Sequence, residues 1–320
     1  MQTSERAFYY WRSVYAPTQY EHNVCDSLHV RTLYVKFFDV DLGQNGRPSP
    51  VATLRFASLP DSTTHIIPTI FITQACLNAL QGSEADSLAA HISTLTAQMI
   101  AFARLRSVPE IQIDCDWTGK NSPVYFQLLR ALRSSPLLHG RQLSATIRLY
   151  QLKFISKVGV PPVDRGMLMC YNMGDLTDPN AQNSILDVSV LRQYASSMKA
   201  YPLALDIALP IFEWNVLLRD GKYKALIRDL PESELARIAA KIAPHQYSPM
   251  LDTVIDGYAL KGGDIIRHEA VSPDALEESA KLASANLVHT PGRIAFFHLD
   301  STTIASYHVE ILDRLYRRLE

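Results

Sequence analysis

The run Ile111-Gln112-Ile113-Asp114-Cys115-Asp116-Trp117 is short, apolar in every second position and polar between. Side chains of a β-strand alternate between its two faces. Ile111, Ile113, Cys115 and Trp117 therefore share one face, and Gln112, Asp114 and Asp116 share the other. The apolar face suits a cover of helices. The opposite face then carries two carboxylates into an interior, which a closed barrel of parallel strands provides. A buried carboxylate without a partner costs several kcal/mol or gives up its charge. Arg148 and Lys36 are the obvious cationic partners.

Seven further runs share this short, β-branched and aromatic character: Phe8–Trp11, Leu33–Val40, Ile66–Thr73, Leu143–Tyr150, Met167–Met173, Leu203–Phe212 and Arg293–Leu299. Helical patterns lie between most of them, at Asp86–Leu105, Pro123–Arg133, Val188–Lys199, Glu232–Ile242, Pro273–Ala285 and Thr303–Leu319. Strands alternating with helices make parallel βα units, and eight such units close a (β/α)8 TIM barrel. One domain over residues 1–320 is expected, with two decorations. Gly43–Asp61 is a loop insertion after the second strand, with a possible extra strand at Val51–Phe56. Thr253–His268 reads as a hairpin insertion before the eighth strand, turning at Lys261-Gly262-Gly263-Asp264.

Composition narrows the function. A net charge of −1 over 320 residues argues against nucleic acid as a partner, which calls for a basic face. No apolar run reaches the length of a transmembrane segment. Cys25, Cys76, Cys115 and Cys170 occur singly, without the paired spacing of a zinc or redox motif. Cys115 and Cys170 fall inside strands and read as small core residues. No GxGxxG, GxSxG, HExxH or phosphate-loop pattern is present, and no cofactor is expected. The first strand begins within about ten residues of Met1, with no signal-peptide core before it. The expectation is a cytoplasmic protein, or a periplasmic or cell-surface one if an export signal has been removed.

Functional side chains of a (β/α)8 barrel gather at the C-terminal ends of its strands. Those ends carry Trp11, Asp39 and Asp41, Asp114 and Asp116, Arg148 and Tyr150, Tyr171 and Asn172, Glu213 and Trp214, and His298 and Asp300. Alternation points Ser144, Thr146, Arg148 and Tyr150 inward from the fifth strand, and Asp206 inward from the seventh. Flat rings with polar edges match the apolar face of a pyranose, so Trp11, Tyr150, Tyr171 and Trp214 are candidates for stacking on sugar. Trp117 is the weakest such candidate, because alternation sends it under the helices. The competing reading is structural: barrels also use interior ion networks only to hold their walls together, and Asp39 and Asp41 can cap the following loop.

Ile113-Asp114-Cys115-Asp116-Trp117 resembles the fourth-strand signature of family 18 glycoside hydrolases, the chitinase group, which runs Asp-Gly-x-Asp-x-Asp-x-Glu. Met169-Cys170-Tyr171-Asn172 is similar to that family's Met-x-Tyr-Asp. The whole chain also looks like a bacterial TIM-barrel group of unknown function, often exported or lipid-anchored and distantly glycosidase-like. The resemblance implies a carbohydrate as substrate or ligand at the C-terminal face. Asn172 stands where that second motif has Asp, and two further departures in the fourth-strand motif limit the resemblance. Thr118 stands where the family has its proton-donating glutamate, and Ile111 where it has its first aspartate. The substrate-assisted mechanism of the family therefore does not carry over.

Another pair of carboxylates could serve. Glycosidases use two, roughly 5–5.5 Å apart for retention and about 6.5–9.5 Å for inversion. Asp116 as donor and Glu213 as base or nucleophile would face each other across the mouth, with Asp114 orienting the donor. Arg148, Tyr150, Asn172, Asp206 and His298 complete the expected substrate contacts. The alternative is a non-catalytic barrel that binds glycan and has lost its acid at Thr118. A third reading, a metal-dependent hydrolase, would draw ligands from Asp114, Asp116, His298 and Asp300, but lacks metal-ligand spacing. No metal is expected.

Overall fold

The computed structural model describes residues 4–228, 230–255 and 257–319. Eight parallel strands form the barrel: β1 (Glu5–Tyr10), β2 (Thr32–Leu42), β3 (His65–Ile72), β4 (Glu110–Cys115), β5 (Gln142–Arg148), β6 (Arg165–Met169), β7 (Leu205–Pro210) and β8 (Arg293–Phe297). Each pairs with its sequence neighbour, β8 pairs with β1, and β1 pairs with β2, so the sheet closes. The eight-unit expectation is met.

Alternation along β4 and β5 works as anticipated. Ile111, Ile113 and Cys115 are fully buried under the helices, and Trp117 continues that face by stacking on Tyr125 with ring centroids 5.1 Å apart. The opposite face looks into the barrel. There Tyr9 Oη donates to Gln112 Oε1 at 2.8 Å, and Thr146 Oγ1 donates to Asp114 Oδ1 at 2.7 Å. Cys76, Cys115 and Cys170 are buried free thiols.

Helix boundaries follow local chemistry. Ser272 caps the helix Pro273–Asn286 through Ala275 N, with proline in the first turn where no backbone donor is needed. The pattern at Glu232–Ile242 splits: helix ends at Ile238, and Ala239–Ala243 is a strand. The pattern at Thr303–Leu319 likewise divides into helices Ser301–Ala305 and Val309–Leu319.

The loop after β2 folds back as Pro48–Val51, antiparallel to the end of β2. Its two prolines fit a sheet edge, where their missing donors are not needed. The possible strand at Val51–Phe56 is thus split, since only Arg55–Phe56 pairs elsewhere, with Val14–Tyr15.

The insertion between β7 and β8 is larger than a hairpin. Trp214–Arg219, Lys222–Ile227, Ala239–Ala243, Gln246–Pro249 and Ile265–Glu269 form a five-stranded antiparallel sheet. It has its own core of Leu217, Ile227, Leu235, Tyr247, Leu260 and Ile266. The turn at 261–264 exists, closed by Asp264 N donating to the Lys261 carbonyl, but the segments beside it pair with other partners. Thr253–Ile255 pairs with Tyr258–Leu260, whereas Ile265–Glu269 joins the larger sheet. Among the described residues no helix is long and apolar enough to cross a membrane.

Candidate functional site

A cleft of about 1100 Å³ opens at the C-terminal ends of the strands. Its lining combines barrel residues with the start of the insertion. Trp11, Asp114, Arg148, Tyr171, Asn172, Glu213, Trp214 and His298 all face it. A side pocket of about 280 Å³ continues it, sharing Arg148, Tyr171 and Asn172 and adding Asp116 and Tyr150. Of the eleven residues expected from sequence to act in catalysis or to contact substrate, ten are therefore gathered at one mouth.

Asp206 is not among them. It lies at the second position of β7, at the N-terminal end of the barrel. It pairs there with Arg165 Nε at 2.8 Å and accepts from Arg293 N at 2.8 Å. Alternation predicts the face of a strand correctly but says nothing of height along the barrel, and Asp206 is a correction for that reason. Tyr150 reaches the mouth by a different route from the one expected. β5 ends at Arg148, and Tyr150 sits in the short helix Leu149–Lys153, donating from its hydroxyl to the Trp117 carbonyl.

The cleft floor is aromatic. Phe297 touches Tyr9, Trp11, Tyr171 and Phe212, with ring centroids 5.5–5.7 Å apart. Phe212 continues the belt to Trp214 at 5.2 Å. Trp11 is half-buried, with Lys36 5.8 Å from the ring centre. Phe212 and Phe297 were missed in the sequence. Their signal is positional: both follow immediately on apolar strand residues, where a ring reads as core.

The charges of the mouth are mostly paired. Arg148 binds Asp116 through both Nε and Nη2. Lys36 pairs with Asp39 at 3.1 Å, not with the β4 aspartates. Arg12 joins Glu21 and Asp300 at 2.6 Å each, and Asp300 also caps the helix Ser301–Ala305. Asp41 accepts from Thr73 Oγ1 at 2.7 Å. Asp114 differs from these. Burial pushes its carboxyl up to about 6, against the lowering pull of Arg148 and of the Thr146 hydroxyl. Glu213 is also lifted above its ordinary value, by burial and then by the nearby charge of Glu232. Thr118 is engaged at the entry to the helix Ser122–Arg133, where its N–H donates to Asn121 Oδ1 at 2.7 Å.

Trp214 is held from behind. Its Nε1 donates to Glu269 Oε2 at 2.8 Å, and the same oxygen accepts from Ser184 N at 2.8 Å and from the Ser184 hydroxyl. Arg267 Nε binds the other oxygen of Glu269 at 2.7 Å, and its Nη1 reaches the Asp178 carbonyl at 2.7 Å. Among the described residues no three His, Cys, Asp or Glu side chains stand close enough to hold a metal ion.

Solved structures with this architecture are numerous. A chitinase from Chromobacterium violaceum superposes with a TM-score of 0.58 over 99% of both chains, at 10% identity. The spore cortex-lytic enzyme SleL of Bacillus cereus matches with a TM-score of 0.55 at 12% identity, over 99% of this chain and 74% of its own. A Group II chitinase catalytic domain of Ostrinia furnacalis, determined with a chito-oligosaccharide, matches with a TM-score of 0.54 at 12% identity, over 99% of this chain and 96% of its own. No protein-family model and no curated relative matches the sequence. At such identity the likeness is one of fold: this is a barrel of the kind found in family 18 chitinases.

Proposed function

We propose that this protein binds a carbohydrate chain in the cleft at the C-terminal mouth of the barrel, and does so without a chitinase-type proton donor. One observation carries the reading. The belt Trp11–Phe297–Phe212–Trp214 lies along a cleft whose rim is polar and charged, an arrangement suited to sugar rings that are apolar on their faces and polar at their edges. The chitinase signature offers no acid here. Thr118 stands in its place, and the carboxylate of Asp116 is ion-paired with Arg148. The fold likeness to a chitinase domain determined with a chito-oligosaccharide supports the choice of ligand class.

The test is calorimetry with chito-, cello- and xylo-oligosaccharides, with reducing-end release measured on the same samples. Binding without release is the expected result. Absence of binding across the panel overturns the proposal.

A second reading is favoured by a separate observation. Asp114 and Glu213 line the same cleft, and burial raises the proton affinity of both. Two such carboxyls are the equipment of glycoside hydrolysis by general acid and base. Should turnover be found, Asp114→Asn and Glu213→Gln would each abolish it. Full activity in either variant rules out that pair.

A further inference from the structure

The wall that the insertion adds to the cleft contains a buried histidine outside the expected site. His268 lies in the strand Ile265–Glu269, with 2% of its side chain exposed. Its Nδ1 is 3.1 Å from Asn215 Oδ1. The Asn215 amide is fixed, because its Nδ2 donates to the Leu230 carbonyl at 2.6 Å. Oδ1 therefore faces the imidazole, and an acceptor there requires Nδ1 to carry hydrogen. In the neutral ring Nε2 is then a bare lone pair. It meets Glu213 Oε2 at 3.6 Å and Glu232 Oε2 at 3.9 Å. A buried lone pair confronting two carboxylates is unfavourable, and one proton among them relieves it.

We propose that Glu213 and His268 share one proton in the cleft wall, and that this proton-bound pair is the form that receives a hydroxyl of a bound sugar. The ligand half rests on the glycan reading above; the shared proton does not. With the proton in place the pair carries no net charge, and the second oxygen of Glu213 can accept from a sugar hydroxyl without an uncompensated anion being covered. Without it a bound sugar covers the bare carboxylate of Glu213, whose desolvation costs affinity.

The surroundings favour sharing. Burial holds the His268 imidazole below the usual histidine range and lifts the Glu213 carboxyl above the usual glutamate range, which brings their proton affinities together. Glu232, at the head of the helix Glu232–Ile238, draws a proton toward His268, as does Glu269 on its own strand. Lys241 and His245 oppose this from the neighbouring hairpin. Glu232 is held in turn by the Tyr247 hydroxyl, and Glu269 by Arg267 and Trp214.

The experiment is a 15N imidazole titration of the ligand-free protein from pH 4.5 to 8.5, with His268→Gln assigning the signal. Wild type should show the Nδ1–H tautomer for neutral His268. In Glu213→Gln its midpoint should fall by about 1 in pH, because a nearby negative charge is lost. An Nε2–H tautomer, or an unmoved midpoint in Glu213→Gln, overturns the shared proton. Binding of chitotriose and cellotriose is then followed over the same range. Wild-type affinity should drop about tenfold as the pair loses its proton, the equivalent of one ordinary hydrogen bond. Glu213→Gln, which is neutral at every pH, should bind without that drop. An equal drop in both proteins overturns the role toward sugar. Failure of both sugars to bind overturns the glycan reading, while the imidazole titration alone still judges the proton.

Discussion

The two ends of the barrel use similar residues in opposite ways. At the N-terminal end Arg293 binds Glu5 Oε2 at 2.6 Å and also Glu110, Ser144 donates to Glu110, and Arg165 and Arg293 N hold Asp206. Every carboxylate named there has a cation or backbone donor against it, and none of them lines the cleft at the mouth. At the C-terminal end the cations are likewise taken up, but Asp114 and Glu213 remain as carboxyls whose environment resists their charge, on the surface of an open cleft. Charge burial is spent on closure at one end and on a receptive surface at the other. Raised proton affinity alone does not separate them, since burial pushes Asp206 up to about 6 as well. Access to a cavity does.

The comparison can be broken most forcefully from below. Arg293→Met leaves Glu110 buried and without its cation, which should cost about 4 kcal/mol of stability in urea unfolding. A loss under 1 kcal/mol would show that the lower network is not holding the wall. At the mouth the sign reverses. Asp114 has its proton affinity raised in the folded state, so the folded protein binds more protons than the unfolded chain between about pH 4 and 6. Stability is lost as pH rises through that window and stays lost at neutral pH. Asp114→Asn should therefore raise stability at pH 7 by on the order of 2 kcal/mol and flatten the profile between pH 4 and 6. A variant less stable than wild type at pH 7 would place Asp114 with the structural carboxylates. Trp11→Ala removes one end of the aromatic belt and should weaken oligosaccharide binding about tenfold, with about 2 kcal/mol of stability lost along with its contacts to Tyr9, Phe71 and Phe297. The smallest effect belongs to Asp116→Asn. Its pair with Arg148 is partly open to solvent, and its loss should cost about 1 kcal/mol by denaturation.

Much of this was legible in the sequence, because a closed parallel barrel imposes a strict code. Each strand is covered by helices outside and filled within, so eight apolar runs separated by helical periods admit few other folds. Along β4 and the two residues that follow it the code extended to single side chains, separating Asp114 and Asp116 from Trp117. It failed where its premise lapsed. Tyr150 lies past the end of β5, where a two-residue period no longer applies. Asp206 faces inward but at the wrong end, since periodicity carries no height. The insertion sheet escaped because Trp214–Arg219 continues an apolar run from β7, and because Glu232–Ile242 keeps a helical pattern across a change of backbone at Ala239. Its one overt signal was the consecutive ionisable trio Arg267-His268-Glu269, which is buried in its entirety. Three such residues in a row seldom enter a core unless each has an assigned partner.

The carboxylate of Glu269 receives bonds from Ser184, Trp214 and Arg267, which belong to segments far apart along the chain. Those three segments are thereby riveted at a single point behind the cleft. A substitution in the small sheet will be felt in the loop around Ser184 and in the seating of the Trp214 indole together. This flank of the mouth is therefore free to vary in evolution only as a block.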